Sequence, residues 1–304
     1  MRVLQVTSHL NVGGITSALL SLAAALRQRG HELVVASADG QLAPQLQRMG
    51  VAHWLVNLHT KAEFSPRVFW ATRCLAARLR HEPVDVIHAH TRVGHVVAAR
   101  LSRALRVPYL TTWHGFFRPR FGRTLWPCTG VLTIAISEPV RQHLLRDFHV
   151  PAQHIRLIPH GIDPTPFGAP IDPSLQQQLR TQLRLDATAP VIGTVARLVG
   201  AKGIDVFLRS LPCIRRACPT AQLLIVGDGK ARADLEQLAR SLGVGPAVHF
   251  AGVLPDTRVA LSLMDVFVFL PADQEGFGLS LLEAMASARP IVAVQRGVGG
   301  RVGA

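Results

Sequence analysis

Hydrophobic positions along the chain fall into two alternating patterns. Short apolar runs occur at 3–6, 33–36, 52–56, 84–88, 109–112, 130–136 and 155–158. They return at 191–195, 223–226, 248–251, 266–270 and 291–294. Between them lie segments with apolar residues three and four apart: 15–28, 42–48, 66–80, 93–105, a stretch from about 138, then 204–215, 231–242 and 279–288. Short apolar runs predict buried strands, and the 3.6-residue period predicts amphipathic helices. Their regular alternation predicts parallel sheets with crossover helices, an α/β fold. Pro159, Pro164, Pro166, Pro170 and Pro173 interrupt it midway. The expected organisation is therefore a domain over 1–165, a linker over 166–186 and a second domain over 187–304, both Rossmann-like and doubly wound, with a cleft between them. Ligands of such sheets bind beyond the carboxyl ends of the strands, so the turns there are where chemistry is sought.

Composition narrows the class. Hydrophobic residues make up 48% of 304 and charged residues 17%, enough for two cores and too apolar for disorder. No apolar run reaches the roughly 18–20 residues of a membrane span, and the start lacks the pattern of a signal peptide. Cys74, Cys128, Cys213 and Cys218 have no metal-ligand spacing and are expected as reduced thiols of a cytoplasmic protein. The net charge is +14, and residues 1–165 hold 19 basic against 8 acidic residues. A basic first half suggests a polyanionic partner: nucleic acid, an anionic membrane or a phosphorylated substrate. Nucleic acid is disfavoured because no recognition motif or aromatic-interleaved basic stripe is present. Phe69 and Trp70, flanked by Arg67, Arg73, Arg78 and Arg80, suggest peripheral docking on the inner face of the cytoplasmic membrane; the competing reading turns both aromatics into the core. After Val294 the chain reads QRGVGGRVGA, which suggests a second domain cut short at its C-terminus.

Three turns carry candidate chemistry. In PADQEGFGLSLLEAMASARPIVAV a strand leads through a glycine-containing turn into a helix, leaving the amides of Gly278, Leu279 and Ser280 to receive a phosphate. Glu275 lies before that helix and Glu283 in its second turn, placed for sugar and ribose hydroxyls; the plain alternative is a loop acid and a solvated helix face. In GTVARLVGAKGIDVFL, Arg197 and Lys202 flank the turn after a strand, where two cations can hold a diphosphate and stabilise its departure. Gly13 and Gly14 follow the first strand and permit close backbone approach, but they are not GxGxxG, which weakens a nicotinamide reading. His114 follows YLTTW, where it can hydrogen-bond a sugar or stabilise developing charge. His88 and His90 lie two apart, with no carboxylate or cysteine spaced nearby to complete a metal site.

Taken together, the motifs DVIHAHT, TTWHGFF, IAISEPV, IRLIPHGID, ARLVGAKGID, LLIVGDG, VHFAGVL and EGFGLSLLEAMA resemble the family-4 retaining glycosyltransferases of GT-B fold, over residues 1–294. The resemblance implies transfer of a hexose from a UDP- or GDP-sugar to an envelope glycolipid or polysaccharide, with retention of configuration and no metal cofactor. It assigns Glu283 to the nucleotide ribose and Glu275 to the donor sugar. Phe277, Gly278, Leu279, Ser280 and Leu281 match the turn facing diphosphate and sugar. Arg197 and Lys202 match the cations on the diphosphate, His114 the histidine near the sugar, and Gly14 the glycine at the phosphates or acceptor. The family's Pro-Glu turn and C-terminal helices are not recognisable after Gly300, so the alternative expectation is a truncated, non-catalytic nucleotide-binding remnant.

Overall fold

The computed structural model describes residues 1–271 and 275–294. The chain forms two compact units, Met1–His160 and Gly161–Ala304. The tail 295–304, on which the expectation of a cut-short second domain rests, lies outside the described residues.

The first unit holds seven parallel strands: β1 (Arg2–Val6), β2 (Glu32–Ser37), β3 (Ala52–Leu55), β4 (Val86–Ala89), β5 (Tyr109–Trp113), β6 (Leu132–Ala135) and β7 (Ile155–Leu157). Their order is β3-β2-β1-β4-β5-β6-β7. Period-two alternation splits the strand residues between two cores. Val3, Leu33 and Val35 pack with Leu19, Leu20 and Ala23 of helix Gly14–Gln28. Leu4, Val6, Val34 and Ala36 face the other way, onto helices Pro66–His81 and Arg92–Leu105.

The second unit holds β8 (Val191–Val195), β9 (Gln222–Val226), β10 (Val248–Gly252), β11 (Val266–Phe269) and β12 (Ile291–Ala293), all parallel, in the order β10-β9-β8-β11-β12. Leu223 and Ile225 bury against helices Ile204–Ala217 and Arg232–Ser241. Leu224 and Val226 belong to the opposite core, with Leu261, Leu281 and Ala284.

The stretch 166–186, expected as a linker, is largely helical. Helix Pro173–Leu183 buries Leu179 in the second unit's core, joined there by Leu185. Pro173 does not break this helix because it stands in the first turn, where a missing N–H costs nothing, and Asp172 caps it by accepting from the Ser174 amide at 2.8 Å. The one-turn helices Phe121–Leu125 and Arg258–Ser262 were also not expected; each is too short to show a period. In both sheets the strand order reverses once, between β1 and β4 and between β8 and β11. These reversal points are where open α/β sheets bind ligands.

Candidate active site

In the second unit the reversal point gathers most of the expected residues. The turn after β8 runs over Arg197 and Lys202 into helix Ile204–Ala217. It lies directly against the end of β11, because Gly203 (φ +64°) sits where a Cβ would collide with the Leu270 carbonyl. That closeness brings Lys202 to Glu275, 73 positions later, and the two form an ion pair. Both side chains are mostly buried, at 20% and 14% exposure, so the pair is better shielded from water than a surface bridge. Arg197 is exposed; the backbone beside it is fixed by Leu198 donating to the Asp228 carbonyl at 3.0 Å.

Helix Leu279–Ala286 starts beyond Glu275. Gly278 is its N-cap, at φ +93°, and no side chain among the described residues caps it. A Cβ at Gly278 would lie 2.5 Å from the Phe269 ring, so only glycine fits. Phe277 is buried and Leu279 and Ser280 partly exposed. Glu283 accepts a hydrogen bond from the Thr257 hydroxyl at 3.1 Å. Burial, and after it the nearby Asp256 charge, raises the Glu283 carboxyl above its ordinary range, against the lowering effect of Thr257. Asp256 is itself held by Arg258 at 2.6 Å.

In the first unit, Gly14 is exposed and opens helix Gly14–Gln28 just past β1; a side chain at the adjacent Gly13 would meet nothing within 4 Å, so packing does not demand glycine there. His114 stands just past β5, in a row of histidines. Its Nε2 lies 3.1 Å from His90 Nδ1, and its Nδ1 lies 3.0 Å from His160 Nε2. His88 Nε2 lies 2.7 Å from Thr112 Oγ1. Burial holds all four rings below the usual imidazole value, His88 at about 3 and His160 at about 4. Neither His90 nor His160 was expected as a partner of His114. The available signal was their placement: His90 directly follows β4, and His160 stands three residues past β7.

Phe69 and Trp70 are exposed, Trp70 at 65%, so the core-facing alternative does not hold. A second aromatic group stands out from the same unit. Phe64 stacks on Trp126 at 6.4 Å, and Phe121 is 83% exposed. Buried Glu63 anchors this group: it accepts from Arg92 Nε at 2.8 Å and pairs with Arg123, while Arg92 also donates to the Trp126 carbonyl at 3.0 Å.

Sequence comparison decides the family. Residues 12–165 match the family described as Glycosyltransferase Family 4, and residues 189–302 match Glycosyl transferases group 1. The chain belongs to the family-4 glycosyltransferases. Among its relatives is the uncharacterized glycosyltransferase MJ1607 of Methanocaldococcus jannaschii, 28% identical over 92% of this chain and 76% of that protein. Another is the GDP-mannose-dependent alpha-(1-6)-phosphatidylinositol monomannoside mannosyltransferase of Mycobacterium tuberculosis, 35% identical over 48% of this chain and 40% of that protein. Among solved structures, Anabaena Alr3699/HepE in complex with UDP-glucose superposes with a TM-score of 0.83 at 23% identity, covering 99% of this chain and 82% of that one. The fold of this glycosyltransferase is thus GT-B, two Rossmann-like units, and its class is that of glycosyl-transferring enzymes.

Proposed function

We propose that this glycosyltransferase moves a hexose from a UDP- or GDP-sugar to a glycolipid or polysaccharide acceptor of the cell envelope, with retention of anomeric configuration. The observation that carries the reading is the ion pair of Lys202 with Glu275 at the reversal point of the second sheet, beside the uncapped start of helix Leu279–Ala286. In the proposed reaction the acceptor hydroxyl attacks the anomeric carbon and the bond from that carbon to the diphosphate oxygen breaks. The departing diphosphate takes the acceptor's proton. Arg197, Lys202 and the amides of Gly278, Leu279 and Ser280 neutralise its growing charge, the work that a divalent metal performs elsewhere. Glu283 accepts hydrogen bonds from the ribose, Glu275 from the sugar, and Phe277 shapes the turn between them. Gly14 leaves its helix start open to phosphate or acceptor, and His114 offers the sugar a neutral ring. The mycobacterial relative depends on GDP-mannose and acts on a phosphatidylinositol monomannoside, and the Anabaena protein is seen with UDP-glucose bound. Both support a nucleotide-sugar donor here, and the first a lipid-linked acceptor.

Thermal unfolding with UDP, GDP, UDP-glucose and GDP-mannose tests the reading. At least one nucleotide should raise the melting temperature through ligand linkage, and Glu283→Ala should remove the shift. No shift with any of the four would reject the donor assignment.

We place the enzyme on the inner face of the cytoplasmic membrane as a peripheral protein. No helix among the described residues is long and apolar enough to cross a membrane. Support comes from the exposed aromatics and from charge: no acidic residue occurs between Asp85 and Glu138, a stretch with seven arginines. Vesicles of phosphatidylcholine with phosphatidylglycerol should co-sediment the protein, and Phe121→Ser with Trp70→Ser should release it. Equal binding to pure phosphatidylcholine would reject the anionic surface.

A further inference from the structure

The histidine row contains more order than the proposed reaction needs. His90, His114 and His160 form a continuous chain, with His90 Nδ1 against His114 Nε2 at 3.1 Å and His114 Nδ1 against His160 Nε2 at 3.0 Å. The His114 and His160 rings are stacked, 5.0 Å apart and inclined by 22°. A neutral imidazole carries one proton, so each ring donates from one nitrogen and accepts at the other, and the whole chain must point one way. The end of the chain decides which way. His90 Nε2 is buried with no hydrogen-bond partner among the described residues. If the chain ran from His160 towards His90, that nitrogen would carry an orphaned N–H. If it runs from His90 towards His160, the same nitrogen carries only a bare lone pair, and an orphaned buried donor is the rarer defect.

We infer that His160 is a positioning residue: it accepts from His114 Nδ1–H and so holds the candidate sugar-facing ring in its Nδ1-protonated form. Burial keeps the rings uncharged, so no doubly protonated ring blurs the direction. His160 is also the last residue of the first unit, so the ring that orients His114 hangs from the backbone where the chain passes into the second. The consequence for chemistry is specific. With Nδ1–H committed to His160 and the single Nε2 lone pair accepting from His90, His114 has no N–H left to donate to a sugar, and a sugar hydroxyl can be received at Nε2 only by displacing the His90 bond. The part concerning sugar rests on the function proposed above; the chain itself does not.

The test is nitrogen-15 NMR of the full chain labelled at histidine, at pH 7.5 and without ligand. The expected result is that His90, His114 and His160 are all neutral and protonated at Nδ1. His160→Leu removes the acceptor, and His114 should lose its fixed proton position. His160→Gln places a carbonyl oxygen at comparable reach and should restore it. A proton on His114 Nε2 in the unmodified chain, or a His114 signal unmoved by His160→Leu, would overturn the inference. Hydrolysis of UDP-glucose and GDP-mannose is the second arm. His160→Leu should lower kcat by about tenfold to a hundredfold with KM little changed, and Gln should restore it. Full kcat in His160→Leu would overturn the positioning role. The expected NMR pattern with neither nucleotide sugar turned over would leave the chain standing and remove the sugar-facing role of His114.

Discussion

At the carboxyl edge of the seven-stranded sheet the notable side chains are imidazoles that burial keeps neutral, while at the same edge of the five-stranded sheet Lys202 and Glu275 are paired as ions. The topology is shared: parallel strands, one reversal of order, turns beyond the strand ends. The chemistry placed on it is not. A neutral row acts through the direction of its hydrogen bonds and is indifferent to salt. An ionised pair beside an open helix start acts through charge, which matters most where a diphosphate departs. The same topology thus carries two kinds of side-chain chemistry, because the residues beyond the strands vary independently of the core beneath them.

The sharpest way to break this contrast is to remove charge from the second edge. Lys202→Ala should lower turnover of nucleotide sugar by about a hundredfold to a thousandfold, the usual cost of losing one group that stabilises a departing anion. Undiminished turnover would take the ion pair out of the reaction. Acidification addresses the first edge. Between pH 6.5 and about 4 the unfolded chain protonates His88, His95 and His160 while the folded chain does not: His160 titrates at about 4, His88 and His95 at about 3. Unfolded protein therefore binds more protons, and stability, complete above pH 6.5, falls as the pH drops. Each ring adds a slope of up to about 1.4 kcal/mol per pH unit. In the second unit, Asp186 is lowered chiefly by its hydrogen bond from the Thr188 amide, and Asp256 by Arg258, so their contribution is lost only below the carboxylate range. Urea midpoints from pH 7 to 4.5 should fall steadily, and a flat profile would mean the histidines are solvated. The smallest effect concerns Glu283. Thr257→Val removes its hydroxyl donor, which should push the carboxyl further up and weaken UDP or GDP binding by about fivefold, near 1 kcal/mol. Calorimetric titration that finds no change would detach Thr257 from the nucleotide.

Much of the architecture is legible in the chain itself. Strand β9 announces itself because both its faces are buried and residues 223–226 are an unbroken apolar run. Lys202 and Glu275 could each be named as candidates because each follows a strand, but their ion pair across 73 positions was not expected and comes from the fold bringing those strand ends together. The helix Pro173–Leu183 was not, since a proline that starts a helix looks in sequence like one that ends it. The histidine chain was hidden for a different reason. Fourteen histidines offer many pairings, and only register selects among them: β4 pairs with β5 so that Ala89 faces Thr111, which sets His90 beside the strand that delivers His114. Gln5 belongs to the same class. It is fully buried, in register with His88, and both atoms of its amide lack a partner among the described residues, a polar position that no apolar pattern reveals.

The helix Pro173–Leu183 also determines where the protein can be cut. Its Leu179 shares a core with Val191, Met264 and Phe267. A fragment begun at residue 187 would bare that greasy surface and invite clumping, whereas one begun at Gly161 carries its own cover.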